Sequence, residues 1–262
     1  MQQSPTFGLG PSYVMIARMA SFVALVAVAA AALQPADFLR EELGEPLAFT
    51  YGWPAAADAH PALREALRTD MEAERTKALG YVEESRVDAR ENGLEFIPHY
   101  FAKTWQVAGS TPQLISLTAS EETFAGGAHG NIHFDAMLWD LAAQRRVTAA
   151  QVLGEAAILG MTERYCAVLD AERTAQRGEP IHRDPEDPHT LCPPLAELVL
   201  APKDEDGDGR FDTLDVLIAP YLAGPYVEGP YFAEVPFRAE DLAGVNADYR
   251  PAFEEGTAQP QE

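Results

Sequence analysis

The chain has 262 residues, 47% of them hydrophobic, and a formal net charge of −22. That apolar share suffices to bury a core and excludes wholesale disorder, while the length allows one large domain or two small ones. So negative a chain argues against nucleic acid and anionic membrane as partners, because both are polyanions, and favours cationic partners or divalent metal ions unless the charge serves solubility alone.

Residues 1–34 carry one charge, Arg18, followed by an apolar run from Met19 to Leu33 that ends in a stretch of alanines. A basic residue, an apolar core and then small residues form the layout of a secretory signal. The run is short and alanine-rich for a membrane span, which needs about 20 apolar residues. Cleavage is expected near Leu33 to Pro35, with Met15 or Met19 as a candidate initiator, and an uncleaved N-terminal anchor is the alternative. No Cys lies near the cleavage site, so a lipid anchor is not expected. The mature chain would be periplasmic or secreted, with no membrane span, and one charge more negative for the loss of Arg18.

Residues 35–57 read as extended and irregular, with a strand over 47–51. His60-Pro61 opens a helix with Pro at a permitted first position, and Leu63, Leu67, Met71 and Ala78 recur at helical spacing before Asn92-Gly93 ends the helical stretch. The period then changes. Residues 96–107, 114–118 and 131–141 read as strands, with Gly126-Gly127-Ala128-His129-Gly130 as a glycine turn before the last of them. Thr148 caps a short helix over 149–153, and a longer one is expected over 155–175. Residues 195–200, 213–219 and 232–237 read as strands, 239–243 as a short helix and 254–262 as a disordered tail. Helices set between antiparallel strands indicate an α+β chain of two small sub-domains. The soft boundary near 145 separates halves over 35–145 and 146–253.

Cys166 and Cys192 are the two cysteines. In an oxidising compartment they are expected to bond rather than to supply a catalytic thiol. The Pro-rich loop between them would be stapled with a gain of about 3 kcal/mol on the chain-entropy model.

From Asp204 to Asp215, carboxylates stand at loop positions 1, 3, 5, 9 and 12 (Asp204, Asp206, Asp208, Asp212, Asp215), Gly209 at 6 and Arg210 at 7, where only its carbonyl would serve. Calcium takes six to eight oxygens, and this spacing matches an EF-hand-type calcium loop, with the ion in a structural role. Two departures stand out: position 12 is Asp rather than Glu, and the flanks do not read as helices. A solvated acidic turn is the alternative.

On a strand, His129, Asn131, His133 and Asp135 would share one face. Two imidazoles and a carboxylate could bind zinc or perform acid–base chemistry, although no third strong ligand is placed by sequence and the face is equally a wet polar one. Tyr221, Tyr226, Tyr231, Phe232 and Phe237, interleaved with Pro and Gly, could stack on sugars or fill a core or a sheet face.

Phe96-Ile97-Pro98-His99-Tyr100, Ile115-Ser116-Leu117, Phe124-Ala125-Gly126-Gly127-Ala128-His129-Gly130 with Phe134-Asp135, and the later Ile218-Ala219-Pro220-Tyr221, Gly224-Pro225-Tyr226 and Val235-Pro236-Phe237 together resemble a cell-envelope module. It is shared by RsiV-type lysozyme-sensing anti-sigma factors and, as the non-catalytic part, by PdaC-type peptidoglycan deacetylases. The resemblance covers about residues 45–245. It implies an α+β module in two halves that binds envelope or extracellular ligands, lysozyme in the RsiV-type proteins. A deacetylase domain is absent from this sequence, so that activity is not carried over. The leading expectation is a non-catalytic module recognising a cationic protein such as lysozyme, or a peptidoglycan component. A hydrolase or deacetylase using His129, His133 and Asp135, and a calcium-stabilised structural protein, are the alternatives.

Overall fold

The computed structural model describes residues 36–257. The expected signal segment therefore lies outside the described residues. Among these residues no helix is long and apolar enough to cross a membrane. The fold is α+β, built on one six-stranded and one three-stranded sheet, both mostly or wholly antiparallel.

The larger sheet contains β1 (Ala36–Glu42), β2 (Leu47–Pro54), β3 (His99–Ser110), β4 (Leu114–Phe124), β5 (Asn131–Asp140) and β6 (Arg145–Val147), in chain order. Within it, only β2 and β3 run parallel. A parallel pair needs a long crossover. Here it is the short α1 (Ala55–Asp58) and the 32-residue α2 (Pro61–Asn92). Pro61 opens α2, and Gly93 closes it in the left-handed conformation at φ 67°, its amide donating back to Ala89 and Arg90. Leu63, Leu67, Met71, Ala78 and Val82 bury one stripe of α2 against Phe49, Tyr51, Trp53, Phe101 and Trp105 of the sheet.

The region over 35–57 is more regular than the sequence suggests. It contains two paired strands, and β1 escapes notice because this edge strand carries Arg40, Glu41 and Glu42, the charged dress that keeps an edge from pairing with other chains. The strand expected from 96 begins at His99, since Pro98 has no N–H to give the ladder.

The remaining chain forms α3 (Ala149–Leu153), α4 (Glu155–Gly160), α5 (Thr162–Arg177), β7 (Val199–Lys203), β8 (Thr213–Ile218), β9 (Tyr231–Pro236) and α6 (Ala239–Leu242). Thr148 and Gln151 cap α3 reciprocally. The single helix expected over 155–175 is two, because the chain turns at Gly160-Met161 and drops the Met161 side chain into the core. The strand expected from 195 starts later. Residues 195–197 are a 3-10 turn that buries Leu195, and β7 comes after it. Residues 254–257, expected to be disordered, are tied down: Glu254 N–H donates to Phe211 and Gly256 N–H to Phe237.

A second core joins this part to the sheet through Leu114, Leu138 and Val147. The approach is close at Gly109. A Cβ there would stand 2.8 Å from the Asp204 amide nitrogen and from the Phe211 ring, so a glycine alone lets β3 meet the start of the acidic loop. Asp204 N–H donates across this gap to Ala108.

Lys103 on β3 is only 2% exposed and sits between Asp70 of α2 (2.9 Å) and Asp135 of β5 (3.0 Å). Asp70 also accepts from Tyr51 at 2.5 Å, Tyr51 from Trp105 at 2.7 Å, and Asp135 is shared with Arg146 of β6. Burial alone would lower the Lys103 pKa, but Asp135 and Asp70 hold it above its ordinary 10.5. Removing one member of a buried ion network strands the others. We expect Lys103→Met to cost about 2–3 kcal/mol in chemical denaturation, and Lys103→Met/Asp70→Asn to recover part of that loss. Because the folded pKa is raised, the contribution of Lys103 is complete below pH 10.5 and is lost as pH climbs through the folded value, so wild type and variant should converge in alkali.

Cys166 of α5 and Cys192 form a disulfide across 26 residues of chain. A closed loop of this size contributes about 3 kcal/mol on the chain-entropy model. Reduction, or Cys166→Ala/Cys192→Ala, is expected to lower Tm by roughly 6–12 °C in calorimetry, given about 2–4 °C per kcal/mol for a chain of this size.

Candidate functional site

The turn between β4 and β5 and the loop between β8 and β9, far apart in sequence, meet at the surface. The His129 ring stacks on Tyr226 with centroids 3.7 Å apart and planes 17° from parallel. Tyr221 completes the group, 5.6 Å from Tyr226 and 6.4 Å from His129. His129 Nδ1 lies 2.8 Å from the Gly130 carbonyl and Nε2 3.3 Å from the Tyr221 hydroxyl. The Gly130 carbonyl can only accept, so Nδ1 carries a proton and donates to it. Tyr226 donates to the same Gly130 carbonyl at 2.8 Å. Tyr221 holds φ 73°, uncommon for a residue other than glycine, and its amide closes a turn onto Gly224. Tyr221 and Leu222 are exposed in this turn, and Val227 and Phe232 are exposed further along the chain.

Helix α5 holds the Tyr221–Tyr226 loop from beneath. The fully buried Arg173 donates to the Ala223 carbonyl at 2.8 Å and to Leu191 at 2.7 Å, joining that loop to the disulfide-closed one. Arg177 forks onto Glu228 at 2.8 and 2.9 Å, and Gln176 donates to the Glu228 carbonyl. Tyr231 does not join the surface group: its ring is buried on β9 and its hydroxyl donates to Glu228. These supporting residues escape a motif-based reading. The one signal for Arg173 is its helical spacing from Leu169 and Cys166, which puts it on the buried face.

Asn131, His133 and Asp135 alternate along β5 and so share one face, whereas His129 lies outside the strand. His129 is engaged with the tyrosines, while Asp135 is spent on Lys103 and Arg146. His133 is exposed on β5. Among the described residues, the one group of three or more His, Cys, Asp or Glu whose ligand atoms lie within 4.8 Å of one another is Asp204, Asp206 and Asp208.

In that loop, Gly209 at φ 92° makes the sharp turn that position 6 requires. Asp204 collects the loop amides, accepting from Gly207 (2.8 Å), Asp208 (3.1 Å) and Gly209 (3.0 Å). Asp206 accepts from Asp208 N–H, and Asp208 from Arg210 N–H. Positions 9 and 12 go elsewhere. Asp212 is buried and accepts from Glu205 N–H. Asp215 lies on β8 near Lys203, with one buried oxygen unpartnered, and burial pushes its carboxyl up to about 7 against the pull of Lys203. Arg210 pairs with Glu254 at 2.9 Å and donates to Phe253, so the C-terminal segment packs along the loop. Three carboxylates and open sides fit a hard cation of modest affinity, with water or backbone oxygens completing a calcium shell.

No curated protein matches the chain. Among solved structures, a DUF3298-family protein from Bacteroides fragilis is 15% identical, with 82% of this chain and 94% of that one covered at a TM-score of 0.47. A DUF3298-family protein from Pseudomonas aeruginosa is also 15% identical, covering 81% and 94% at 0.43. A family model described as "Deacetylase PdaC" matches residues 42–132, a stretch that runs from the end of β1 through α2 and β4 to the His129 turn. Residues 42–132 are thus similar to that family, and the stretch contains the motifs at 96–100 and 124–130.

Proposed function

We propose that this chain is an exported, non-catalytic binding module of the cell envelope that recognises a cationic protein such as lysozyme, or else a peptidoglycan component, through the His129–Tyr221–Tyr226 surface. The observation that carries this reading is the meeting of the two family-like motifs in one exposed aromatic group. Aromatic anchors with a polar tip are the residues that dominate recognition surfaces. A net charge of −22 favours a cationic partner. The bond that holds His129 Nδ1 to Gly130 and the two cations on Asp135 suit binding better than proton transfer. The disulfide suits an oxidising compartment.

Calorimetry with lysozyme at low and at high salt tests the module. Exposed charges are screened over about 10 Å at 0.1 M and about 3 Å at 1 M salt. Saturable binding should survive at 1 M, and Tyr226→Ala or His129→Ala should weaken it about tenfold or more while leaving Tm within a few degrees. Binding that disappears with salt, and is equal for the variants, would reduce the interaction to net charge.

The Asp204–Asp206–Asp208 group favours a second element of the reading, a structural calcium ion in the acidic loop. Calcium at 100 times Kd should add about 2.7 kcal/mol, or roughly 5–10 °C in Tm, relative to chelator. Asp206→Asn/Asp208→Asn keeps the turn-forming oxygens but removes two charges, so it should abolish the calcium increment without lowering Tm in chelator. Equal melting in calcium and in chelator would remove the ion from the account.

A further inference from the structure

Between α2 and the larger sheet lies a second, separate concavity of about 290 Å³. That is the low end for a ligand pocket, enough for one side chain and too little for a polymer. Its floor is apolar, from Leu47, Ala78 and Phe101. Tyr81 and Tyr100 stand at the rim, half exposed. Three carboxylates line it, Glu74, Glu84 and Glu121, against one cation, Lys77, which is paired with Glu74 at 3.4 Å. Glu84 and Glu121 have no ion-pair partner among the described residues. His99 also lines the pocket, is 6% exposed, and its Nε2 has no hydrogen-bond partner. A buried acceptor or donor left unpaired costs free energy, and native structures seldom leave one without a reason.

We propose that this pocket receives an arginine side chain of the protein ligand, its stem over Phe101, its guanidinium against Tyr81 or Tyr100, and its N–H groups shared between Glu121 and His99. The match is chemical. A guanidinium is all donor, five N–H and no acceptor, and the pocket offers acceptors in excess. Its plane stacks on aromatic rings and its fork fits carboxylates, which a lysine ammonium does less well. Burial lowers the His99 pKa and so favours the neutral ring, which accepts through Nε2 when its proton is on Nδ1. Burial and then Glu74 push the Glu121 carboxyl up, against the pull of Lys103, Lys77 and His133, none of which forms an ion pair with it. Location supports the same assignment. Phe124 and Ala125 line the pocket, and the chain runs on directly into the turn that presents His129, so one partner can span both. The source of the arginine rests on the reading of a cationic protein ligand; the pocket's preference for a guanidinium does not.

The test uses two arms on the whole chain. In the first, N-acetyl-arginine amide is titrated into protein with 15N-labelled histidine, with the citrulline analogue as a neutral isostere. A single side chain is expected to bind with Kd on the order of 1 mM, and the His99 imidazole signals should shift saturably with arginine and not with citrulline. Glu121→Gln, or Glu84→Gln should the first variant melt early, should weaken the effect about tenfold. Equal shifts from citrulline, silence at His99, or a response to glucosamine without one to arginine would overturn the proposal. In the second arm, lysozyme affinity is measured with Glu121→Gln, and a loss of about tenfold is expected. If this variant binds as wild type does while Tyr226→Ala does not, the pocket proposal fails and the functional reading stands. If arginine amide binds and lysozyme does not, lysozyme is removed as the ligand of the functional reading and the pocket stands.

Discussion

Lys103 organises the sheet on which both candidate surfaces depend. An ammonium that is 2% exposed is tolerated only where carboxylates meet it, and here they come from α2 on one side and β5 on the other. The Tyr51 hydroxyl and the Trp105 indole complete the network, so β2, β3, β5 and α2 are fixed relative to one another by directional bonds rather than by area alone. Arg146 extends the chain of charges to β6 and also donates to the Ala136 carbonyl. The arrangement decides the fate of Asp135. A carboxylate read from sequence as a candidate acid or base is, in three dimensions, a counter-ion.

A second buried cation, Arg173, does for the later part of the chain what Lys103 does for the earlier one. Arg173 has no exposed surface, and its guanidinium satisfies the carbonyls of Ala223 and Leu191. One side chain therefore pins the disulfide-closed loop and the loop that presents Tyr221. A loop rich in Gly and Pro has little regular backbone bonding of its own, so such outside donors give it a fixed shape. The positive φ of Tyr221 persists for that reason, and strain of this kind is found where a surface is preorganised for a ligand.

The sequence made the periodic elements legible. The buried stripe of α2, the cap at Thr148, the glycine turn and the strands at 131 and 213 arise from spacing that a folded chain has little freedom to violate. What it concealed was set by contacts between distant residues. The break at Met161 depends on a core assembled from β8, β9 and α6. The role of Arg173 depends on carbonyls 18 and 50 positions further along the chain. The acidic loop divides in the same way: local spacing forms the group of Asp204, Asp206 and Asp208, whereas Asp212 is buried just before β8 and Asp215 obeys the register of β8. The meeting of His129 with Tyr221 and Tyr226 was visible only as two motifs that resemble parts of one family. Nothing in their spacing says that they touch.

The charge of the protein is also unevenly used. Several carboxylates inside the fold are matched by cations: Asp70 and Asp135 by Lys103, Asp241 by Arg164, Glu228 by Arg177. Among those without an ion pair are Asp204, Asp206 and Asp208 of the acidic loop and Glu84 and Glu121 of the pocket beneath Tyr81. Repulsion among unpaired carboxylates works against the compact state, so their clustering weakens the free protein and is relieved when positive charge arrives. A ligand that brings that charge gains the relief as part of its binding free energy, because anything that binds the folded chain alone stabilises it. Net charge alone would attract many cations over a distance. Discrimination among them has to come from surfaces fixed in place, and the fixed surfaces here are the His129–Tyr226 stack and the rim of the pocket, joined through the short turn from Phe124 to Gly130.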